Sequence, residues 1–279
     1  MKFQYLGTAA AEGMPAVFCN CEVCVTARER GGKNYRTRSQ SIINDELLLD
    51  FPPDSMMHFH LHGIRGDKVK YVVFTHSHAD HYYATDLLRH GGCYAHNMAE
   101  EKLVLVSSEA LCERMQQDLK GAKKDVFLEY VVAKPFEPLT LGEYELIPFP
   151  ANHAGDKEGK LALFYAIKHG GKTVLYAHDS GYFFEEVFDY IKENKLCFDM
   201  ISLDCTFAHL PSKVSSSHMG LDTDLKVLER LREIGAVDEK TVLYVNHFSH
   251  NGNPLHEELS ESAAKIGFQV SYDGLILEV

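Results

Sequence analysis

Short apolar runs with β character recur along the whole chain, and segments with helical periodicity separate several of them. The β-type runs are FQYLG, SIIN, ELLLDF, YVVFTH, LVLVS, FLEYVVA, YELIPFPA, LALFYAI, TVLYAHD, FDMISLDC, TVLYVNH and QVSYDGLILEV. In EEVFDYIKEN and DTDLKVLERLREIG the apolar residues return every three to four positions, which predicts amphipathic helices. Asn44-Asp45 and Gly170-Gly171 each join two apolar runs and predict hairpins, so part of the sheet is antiparallel. Strands that alternate with helices predict a layered α/β architecture.

The bulk composition is that of an ordinary globular protein. The chain has 279 residues, of which 45% are hydrophobic and 24% charged, so it can bury a sizeable core. This length allows one large domain or two smaller ones. Because no low-complexity linker, charge block or fixed-period repeat interrupts the sequence, we predict a single domain over residues 1–279.

The charge balance limits the partners. Lys and Arg number 28 against 40 Asp and Glu, a net charge of -12, which gives no support for broad attachment to nucleic acid or to an anionic membrane. Gln4, Gly7 and Thr8 interrupt the first apolar run, so we do not expect a signal peptide. No run approaches the roughly 18 apolar residues of a membrane span. We therefore expect a cytoplasmic protein, in which seven cysteines favour metal binding over disulfides.

Histidine or aspartate closely follows four of the predicted strands. These residues are His76, His153, Asp179 and His247. Layered sheets usually build their sites at the carboxyl ends of strands, so we expect these four side chains to lie together.

The stretch Thr75-His76-Ser77-His78-Ala79-Asp80-His81 is the densest candidate for metal binding. In a tight loop this spacing lets His76 and His78 reach one point while Asp80 and His81 reach a neighbouring one. Imidazole nitrogen with carboxylate oxygen suits zinc, manganese or iron. A solvent-exposed histidine cluster without function is the alternative, and it leaves the strand-end residues unexplained.

The pattern H-x-H-x-D-H after a strand resembles the signature of the metallo-β-lactamase superfamily. The resemblance covers the whole chain and implies a four-layer αβ/βα sandwich of two mixed sheets flanked by helices. It implies a first metal held by His76, His78 and His153 and a second metal held by Asp80, His81 and His247. Asp179 would bridge the two metals, and Asp80 would also be a catalytic residue. Asp50 matches the family's acidic residue that supports the ligand loop. Two such ions, about 3.5–4 Å apart, would supply hydroxide near neutral pH and neutralise phosphate oxygens.

Three of the seven cysteines, Cys19, Cys21 and Cys24, lie within six positions. Their spacing is tighter than that of the usual zinc finger, so the residues alone leave open a structural zinc site, a reactive dithiol or three unrelated buried thiols. His250, three residues after His247, is a candidate fourth ligand. Three thiolates and one imidazole make a common closed zinc site.

Together with His250, these cysteines resemble the structural zinc site of one branch of the superfamily, the phosphodiesterases related to the carbon–phosphorus lyase accessory enzyme. GTAAAEGMPA and SLDCTF, which contains Asp204, are also similar to motifs of that branch. His218 in SSSHMG matches its histidine for leaving-group protonation or phosphate contact, and we expect Asp204 to support the site from behind the ligands. Ala84 departs from the family, which commonly has glycine there.

The resemblance implies a phosphodiesterase of small cyclic phosphates, such as ribosyl 1,2-cyclic phosphate or 2′,3′-cyclic nucleotides, that acts through a metal-bound hydroxide. Its cofactors would be two active-site divalent ions, zinc or manganese with iron as a third candidate, and one structural zinc at loop 19–24. A tRNA 3′-end endonuclease is disfavoured by the acidic charge and by the lack of an inserted basic arm. A non-catalytic metabolite-binding accessory protein is disfavoured by the complete ligand set. We expect a small phosphodiester as partner, with no membrane and no nucleic acid, and leave a homodimer open.

Two further groups are discounted as site residues. His58, His60 and His62 alternate in MHFHLHG, but Pro52 to Ser55 predicts the start of a helix, on which we expect them to be exposed. Arg36 and Arg38 are expected to be solvated loop arginines.

Overall fold

The structure is a computed structural model that describes residues 1–120, 127–153 and 162–279. Its first sheet has the strand order β14-β1-β2-β3-β4-β5-β6 and its second sheet the order β13-β12-β11-β10-β9-β8-β7. The strands of the first sheet are β1 (Lys2–Gly7), β2 (Gln40–Ile43), β3 (Leu47–Leu49), β4 (Tyr71–Val73), β5 (Lys102–Ser107), β6 (Phe127–Val132) and β14 (Ile276–Glu278). Those of the second are β7 (Leu139–Leu141), β8 (Tyr144–Pro150), β9 (Leu163–His169), β10 (Lys172–Ala177), β11 (Met200–Asp204), β12 (Val242–Asn246) and β13 (Gln269–Val270).

Both sheets are mixed. Strands β14, β1, β2 and β3 pair antiparallel in the first sheet, whereas β3, β4, β5 and β6 pair in parallel. In the second sheet β7, β8, β9 and β10 pair antiparallel, and β10, β11, β12 and β13 run parallel. The two predicted hairpins are present, with positive φ at Asn44, Asp45, Gly170 and Gly171, as tight two-residue turns require.

The sheets face each other, and the helices cover their outer faces. The helices are α1 (Glu22–Arg30), α2 (Ser55–His62), α3 (Ala84–Leu87), α4 (Glu109–Asp118), α5 (Glu185–Glu193), α6 (Leu221–Glu233) and α7 (His256–Ala264). The sequence of strand β10 is largely apolar because both faces of the strand are buried. Val174 and Tyr176 pack between the sheets, while Leu175 packs against the helix layer. Two mixed sheets between helices confirm the predicted fold class.

The sequence suggests a single strand for the last apolar run, QVSYDGLILEV, but the structure divides this run. Its first residues form β13 in the second sheet and its last residues form β14 in the first. The chain crosses at Asp273, which accepts hydrogen bonds from the Thr8 hydroxyl (2.6 Å) and the Thr37 amide (2.7 Å). Gly274, with φ of 89°, then makes the turn. This crossing joins the two sheets at the C-terminal end of the described chain.

Within the three described ranges, no helix is both long enough and apolar enough to cross a membrane.

Candidate functional site

The carboxyl ends of the central strands carry the candidate site. His76 and His153 lie three residues beyond β4 and β8, Asp179 two residues beyond β10, and His247 directly after β12. Because β8, β10 and β12 run in the same direction, their ends meet at one edge of the second sheet. Asp179 and His247 have positive φ, 53° and 65°. Non-glycine residues in this region are uncommon and concentrate at functional sites, where the surrounding structure holds them.

Two groups that match the predicted ligand sets meet at this edge, and a third group, of Asp179, Asp204, His218 and His247, overlaps them. The first comprises His76, His78, His153 and Asp179, and the second Asp80, His81, Asp179 and His247. In each group the ligand atoms lie within 4.8 Å of one another. Asp179 belongs to both groups, so its two carboxylate oxygens can serve two neighbouring ions.

Unsatisfied polar atoms show that the residues fit metal ions. His76 Nε2 and Asp179 Oδ1 are buried, yet neither forms a hydrogen bond of acceptable geometry with the described residues. His76 Nε2 lies 3.0 Å from Asp179 Oδ2, and His81 Nε2 lies 3.2 Å from His247 Nε2. Buried polar atoms without partners are costly, and a divalent cation would satisfy these atoms together. The mixed nitrogen and oxygen donor set suits zinc, manganese or iron.

A buried carboxylate behind the site orients His81. Asp50 Oδ2 lies 2.7 Å from His81 Nδ1, and Asp50 Oδ1 accepts a hydrogen bond from the Thr75 amide at 2.7 Å. Since Nδ1 donates to Asp50, Nε2 of His81 is free to bind a metal. Thr75 Oγ1 lies 2.9 Å from His76 Nδ1 and fixes that ring in the same way. Asp50 and Thr75 together therefore fix the loop that carries the ligands.

The pKa values of the site follow from burial and charge. Burial lowers the pKa of His153 to about 4 and also lowers that of His76, so both rings are neutral, as metal binding requires. Burial likewise lowers the pKa of His81, but the carboxylates of Asp50 and Asp80 outweigh it and raise the value above normal. A cation between these carboxylates takes the place of the proton that they would otherwise hold on His81.

His218 lies beside the ligand groups and is held by two carboxylates. Its Nδ1 is 3.1 Å from Asp179 Oδ1 and 3.4 Å from Asp204 Oδ2. Burial lowers the pKa of His218, but Asp204 and Asp179 outweigh it and raise the value to about 10. Its side chain remains 22% exposed, unlike the fully buried Asp204 behind it. His218 can therefore offer a proton or a charged hydrogen bond to a bound molecule.

Asp204 links His218 to His247. It accepts hydrogen bonds from the amides of Thr206 (3.1 Å) and Met219 (2.9 Å), and its Oδ2 lies 3.2 Å from His247 Nδ1. Thr206 Oγ1 is also 2.8 Å from His247 Nδ1. With Nδ1 occupied in this way, Nε2 of His247 faces the second ligand group.

The site opens into a cavity of about 580 Å³. Ligands from both groups line it together with His218, Phe207 and Leu210. The N-terminal loop contributes Glu12, and the loop after β12 contributes Asn251. A small organic phosphate fits a space of this size.

A separate ligand group contains Cys19, Cys21, Cys24 and His250. His250 Nδ1 lies 3.4 Å from Cys21 Sγ and 3.7 Å from Cys19 Sγ. The amides of Ala16 and Cys21 donate to the sulfurs of Cys24 and Cys19, both at 3.4 Å. The backbone amide of Cys24 lowers the pKa of Cys21 to about 6, so its thiolate, the form that binds metal, exists at neutral pH. Four ligands without an open position suit a structural zinc ion.

Every residue that the sequence predicted as a ligand falls into one of these groups, and Asp50 and Asp204 lie directly behind them. Sequence reasoning missed Thr75, Thr206 and Glu12. Thr75 and Thr206 each neighbour a predicted acid or ligand, and a hydroxyl residue beside a strand end is the signal that would have found them.

Residues in both discounted groups were placed wrongly. His58 is buried, not exposed, because its Nδ1 bonds Gln40 Oε1 and its Nε2 bonds Thr37 Oγ1, both at 2.7 Å. Only His60 of that trio is exposed, since His62 is half-buried. Arg36 is also buried: its guanidinium donates to the Ser271 carbonyl at 2.7 Å and stacks on Phe248. Both residues stabilise the fold and lie outside the ligand groups.

Comparison with known proteins gives a family match over most of the chain. The family model described as "Beta-lactamase superfamily domain" matches residues 47–248. Coenzyme PQQ synthesis protein B of Bradyrhizobium diazoefficiens is 24% identical over 312 residues, an alignment that covers 96% of each protein. Octanoyltransferase of Porphyromonas gingivalis is 37% identical over 92 residues, which cover 32% of this chain; the chain spans 18% of that relative's length.

Three solved structures share the fold across the whole chain. A diphosphatase from the PhnP family has a TM-score of 0.74 and 24% identity, with 100% of this chain and 97% of the other covered. Zinc-bound PqqB from Methylobacterium extorquens has a TM-score of 0.76 and 18% identity, with both chains fully covered. Human tRNase Z, short form, has a TM-score of 0.66 and 12% identity, with 100% and 99% covered. At these identities the likeness establishes the fold alone.

Proposed function

We propose that this chain, which belongs to the metallo-β-lactamase superfamily, is a binuclear metal-dependent phosphodiesterase that hydrolyses small cyclic phosphates. The family match confirms the resemblance drawn from the H-x-H-x-D-H motif. Family and ligand clusters together indicate a metal-dependent hydrolase. The likeness to a PhnP-family structure supports a phosphodiesterase within that class.

One observation carries the proposal: Asp179 belongs to both ligand groups and also contacts His218. A carboxylate shared by two ligand sets is the arrangement expected of a two-ion site. A cationic histidine beside it is placed to meet the oxygens of a phosphate that the ions would hold. A protein that only binds a neutral metabolite has no need of a shared carboxylate beside a cationic histidine.

Two divalent ions in such a site would neutralise phosphate oxygens and make a water nucleophile available near neutral pH. The chain's own residues then have two tasks besides proton donation. The neutral rings of His76 and His153 and the carboxylate of Asp80 would hold the ions. Asp50 and Asp204 hold the ligand rings in one orientation, which avoids reorganisation during the reaction.

His218 completes the arrangement as a proton donor. Asp204 and Asp179 keep its ring charged and fix its direction, while its exposed part reaches the cavity. Opening a cyclic phosphate produces a poor alkoxide leaving group, which needs a proton in the transition state. We assign this proton donation to His218. The positive charge of its ring also allows it to donate a hydrogen bond to the phosphate.

Two alternatives belong to other branches of the same fold. A tRNA 3′-end endonuclease is supported by the likeness to tRNase Z, and a metabolite-binding role in cofactor synthesis by the likeness to PqqB. The net charge of -12 favours a small substrate over tRNA, because binding a nucleic-acid backbone relies on basic side chains.

The test is a substrate panel run on protein with measured zinc and manganese content. It comprises bis(p-nitrophenyl) phosphate, 2′,3′-cyclic AMP, ribosyl 1,2-cyclic phosphate, a dinucleoside diphosphate and precursor tRNA. We expect turnover of the cyclic phosphates. Cleavage of precursor tRNA alone would assign the chain to the endonucleases, and failure on every phosphodiester by metal-loaded protein would overturn the proposal.

A further inference from the structure

The carboxylate of Glu12 is an acidic group in the cavity that the proposed reaction does not use. It lines the cavity together with Ala10 and Ala11 of the same N-terminal loop. Its side chain is 33% exposed, so it can contact a bound molecule. Asp80 and Asp179 are also acidic, but they belong to the ligand groups, whereas Glu12 does not.

Glu12 is held in place by the loop after β12. The Ser249 hydroxyl donates a hydrogen bond to Glu12 Oε1 at 2.5 Å. Ser249 Oγ is itself fixed, since it accepts hydrogen bonds from the backbone amide and the side-chain amide of Asn251, at 3.2 and 3.1 Å. This chain of bonds holds one carboxylate oxygen, and none of the described residues donates a hydrogen bond to the other.

The cysteine group lies next to this arrangement. His250 turns Nδ1 toward Cys19 and Cys21, and its Nε2 lies 3.8 Å from Glu12 Oε1, which is beyond hydrogen-bond distance. Metal-bound histidines commonly direct their second N–H toward a carboxylate. Ser249 therefore fixes Glu12, with the His250 ring beside it, while Glu12 lines the cavity.

A fixed carboxylate near a phosphate site discriminates between substrates. It accepts strong hydrogen bonds from hydroxyl groups, and it repels a second phosphate that approaches the same place. From this placement we infer that Glu12 determines specificity: it binds a hydroxyl group on the sugar part of the substrate and disfavours substrates that carry a further phosphate there. This inference rests on the proposed function for its substrate class.

The test compares two substrates that differ only in that group, 2′,3′-cyclic AMP with a free 5′-hydroxyl and the same compound with a 5′-phosphate. The wild type is compared with Glu12→Gln and with Glu29→Gln, a control that removes the same charge from an exposed position on α1 outside the cavity. We expect the wild type to prefer the 5′-hydroxyl compound by about tenfold or more in kcat/KM. Glu12→Gln should reduce that preference by about tenfold, and Glu29→Gln should keep it. An unchanged preference in Glu12→Gln, or equal changes in both variants, would overturn the inference.

A binding measurement keeps this test independent of turnover. Calorimetry of metal-loaded protein compares the affinities of adenosine 3′-monophosphate and adenosine 3′,5′-bisphosphate. Glu12→Gln should shift the ratio of the two affinities toward the bisphosphate by about fivefold or more. If the wild type hydrolyses neither cyclic substrate, the proposed function fails, while the affinity ratio still tests Glu12.

Zinc analysis of Glu12→Gln separates specificity from a purely structural role. Retention of the structural zinc with a changed substrate preference supports the inference. Loss of zinc with an unchanged preference would show that Glu12 only orients His250, and would overturn it.

Discussion

His247 and His250 lie three residues apart on one loop, yet they belong to two different ligand groups. His247 joins Asp80, His81 and Asp179, whereas His250 joins the three clustered cysteines. The cysteine group thus ties the N-terminal loop to the loop that carries His247. Its expected task is mechanical, because a closed four-ligand site leaves no position for substrate or water.

Replacing Cys21 tests this mechanical role. Cys21→Ser should lose one equivalent of zinc and destabilise the protein by about 2 kcal/mol, which lowers the Tm by about 4–8 °C for a chain of this size. Metal analysis and thermal unfolding measure both effects. Cys197→Ser is the matched control, because Cys197 is exposed and lies outside the group. If Cys21→Ser loses turnover while its zinc content and Tm stay at the wild-type values, the structural role is wrong.

Replacing Asp50 tests the support behind the ligands. Asn tolerates the positive φ of 64° at this position and matches the shape of Asp, so Asp50→Asn isolates the lost charge. Asn has one acceptor oxygen, whereas Asp50 accepts from the Thr75 amide with one oxygen and faces His81 Nδ1 with the other, so the His81 ring loses its fixed orientation. We expect active-site metal affinity to fall by about 10–100-fold in a chelator competition assay. An unchanged affinity would show that Asp50 serves folding alone.

Replacing His218 separates proton donation from phosphate binding. His218→Asn should lower kcat for 2′,3′-cyclic AMP by about 10²-fold or more, since its alkoxide leaving group needs a proton. The loss for bis(p-nitrophenyl) phosphate should stay below about tenfold, because p-nitrophenolate leaves without one. Metal content should match the wild type. Equal losses on both substrates would assign His218 to phosphate contact and contradict its role as proton donor.

Replacing His78 tests the first ligand group. His78 Nδ1 lies 3.1 Å from His153 Nε2, and His78→Ala removes this imidazole from the first group. We expect active-site metal to be depleted and turnover to fall below about one thousandth of the wild-type value. His60→Ala is the control, since His60 is exposed on α2 outside every ligand group. Near wild-type activity in metal-analysed His78→Ala would remove His78 from the ligand set.

Much of the fold was predictable because local patterns and topology agree. The hairpin at Gly170-Gly171 follows from turn chemistry, and the strand-end position of His76 follows from the apolar run before it. The division of QVSYDGLILEV between two sheets was not predictable. It depends on Asp273 receiving hydrogen bonds from Thr8 and Thr37, which are more than 230 residues away in the sequence.

The grouping of the candidate ligands could be predicted from their spacing and from the family resemblance. The burial of individual polar residues was harder to predict. His58 and Arg36 are polar residues that sequence rules place at the surface. Each is buried with hydrogen-bond partners that are remote in sequence: Gln40 and Thr37 for the two ring nitrogens of His58, and Thr8 and Ser271 for Nη1 of Arg36. No pattern in a single sequence identifies such partners. Glu12 escaped notice for the same reason, since Ser249, which donates a hydrogen bond to it, lies 237 residues away in the sequence.

Metal titration with a phosphodiester as substrate tests the central claim most directly. Metal-free protein receives zinc or manganese in steps from zero to three equivalents, and hydrolysis of 2′,3′-cyclic AMP is followed beside metal content. The account predicts that three equivalents bind, one to the cysteine group and two to the groups that share Asp179, and that turnover reaches its maximum only when both of these are filled. Protein that binds three equivalents and hydrolyses no phosphodiester, or that reaches full turnover with a single active-site ion, would contradict it.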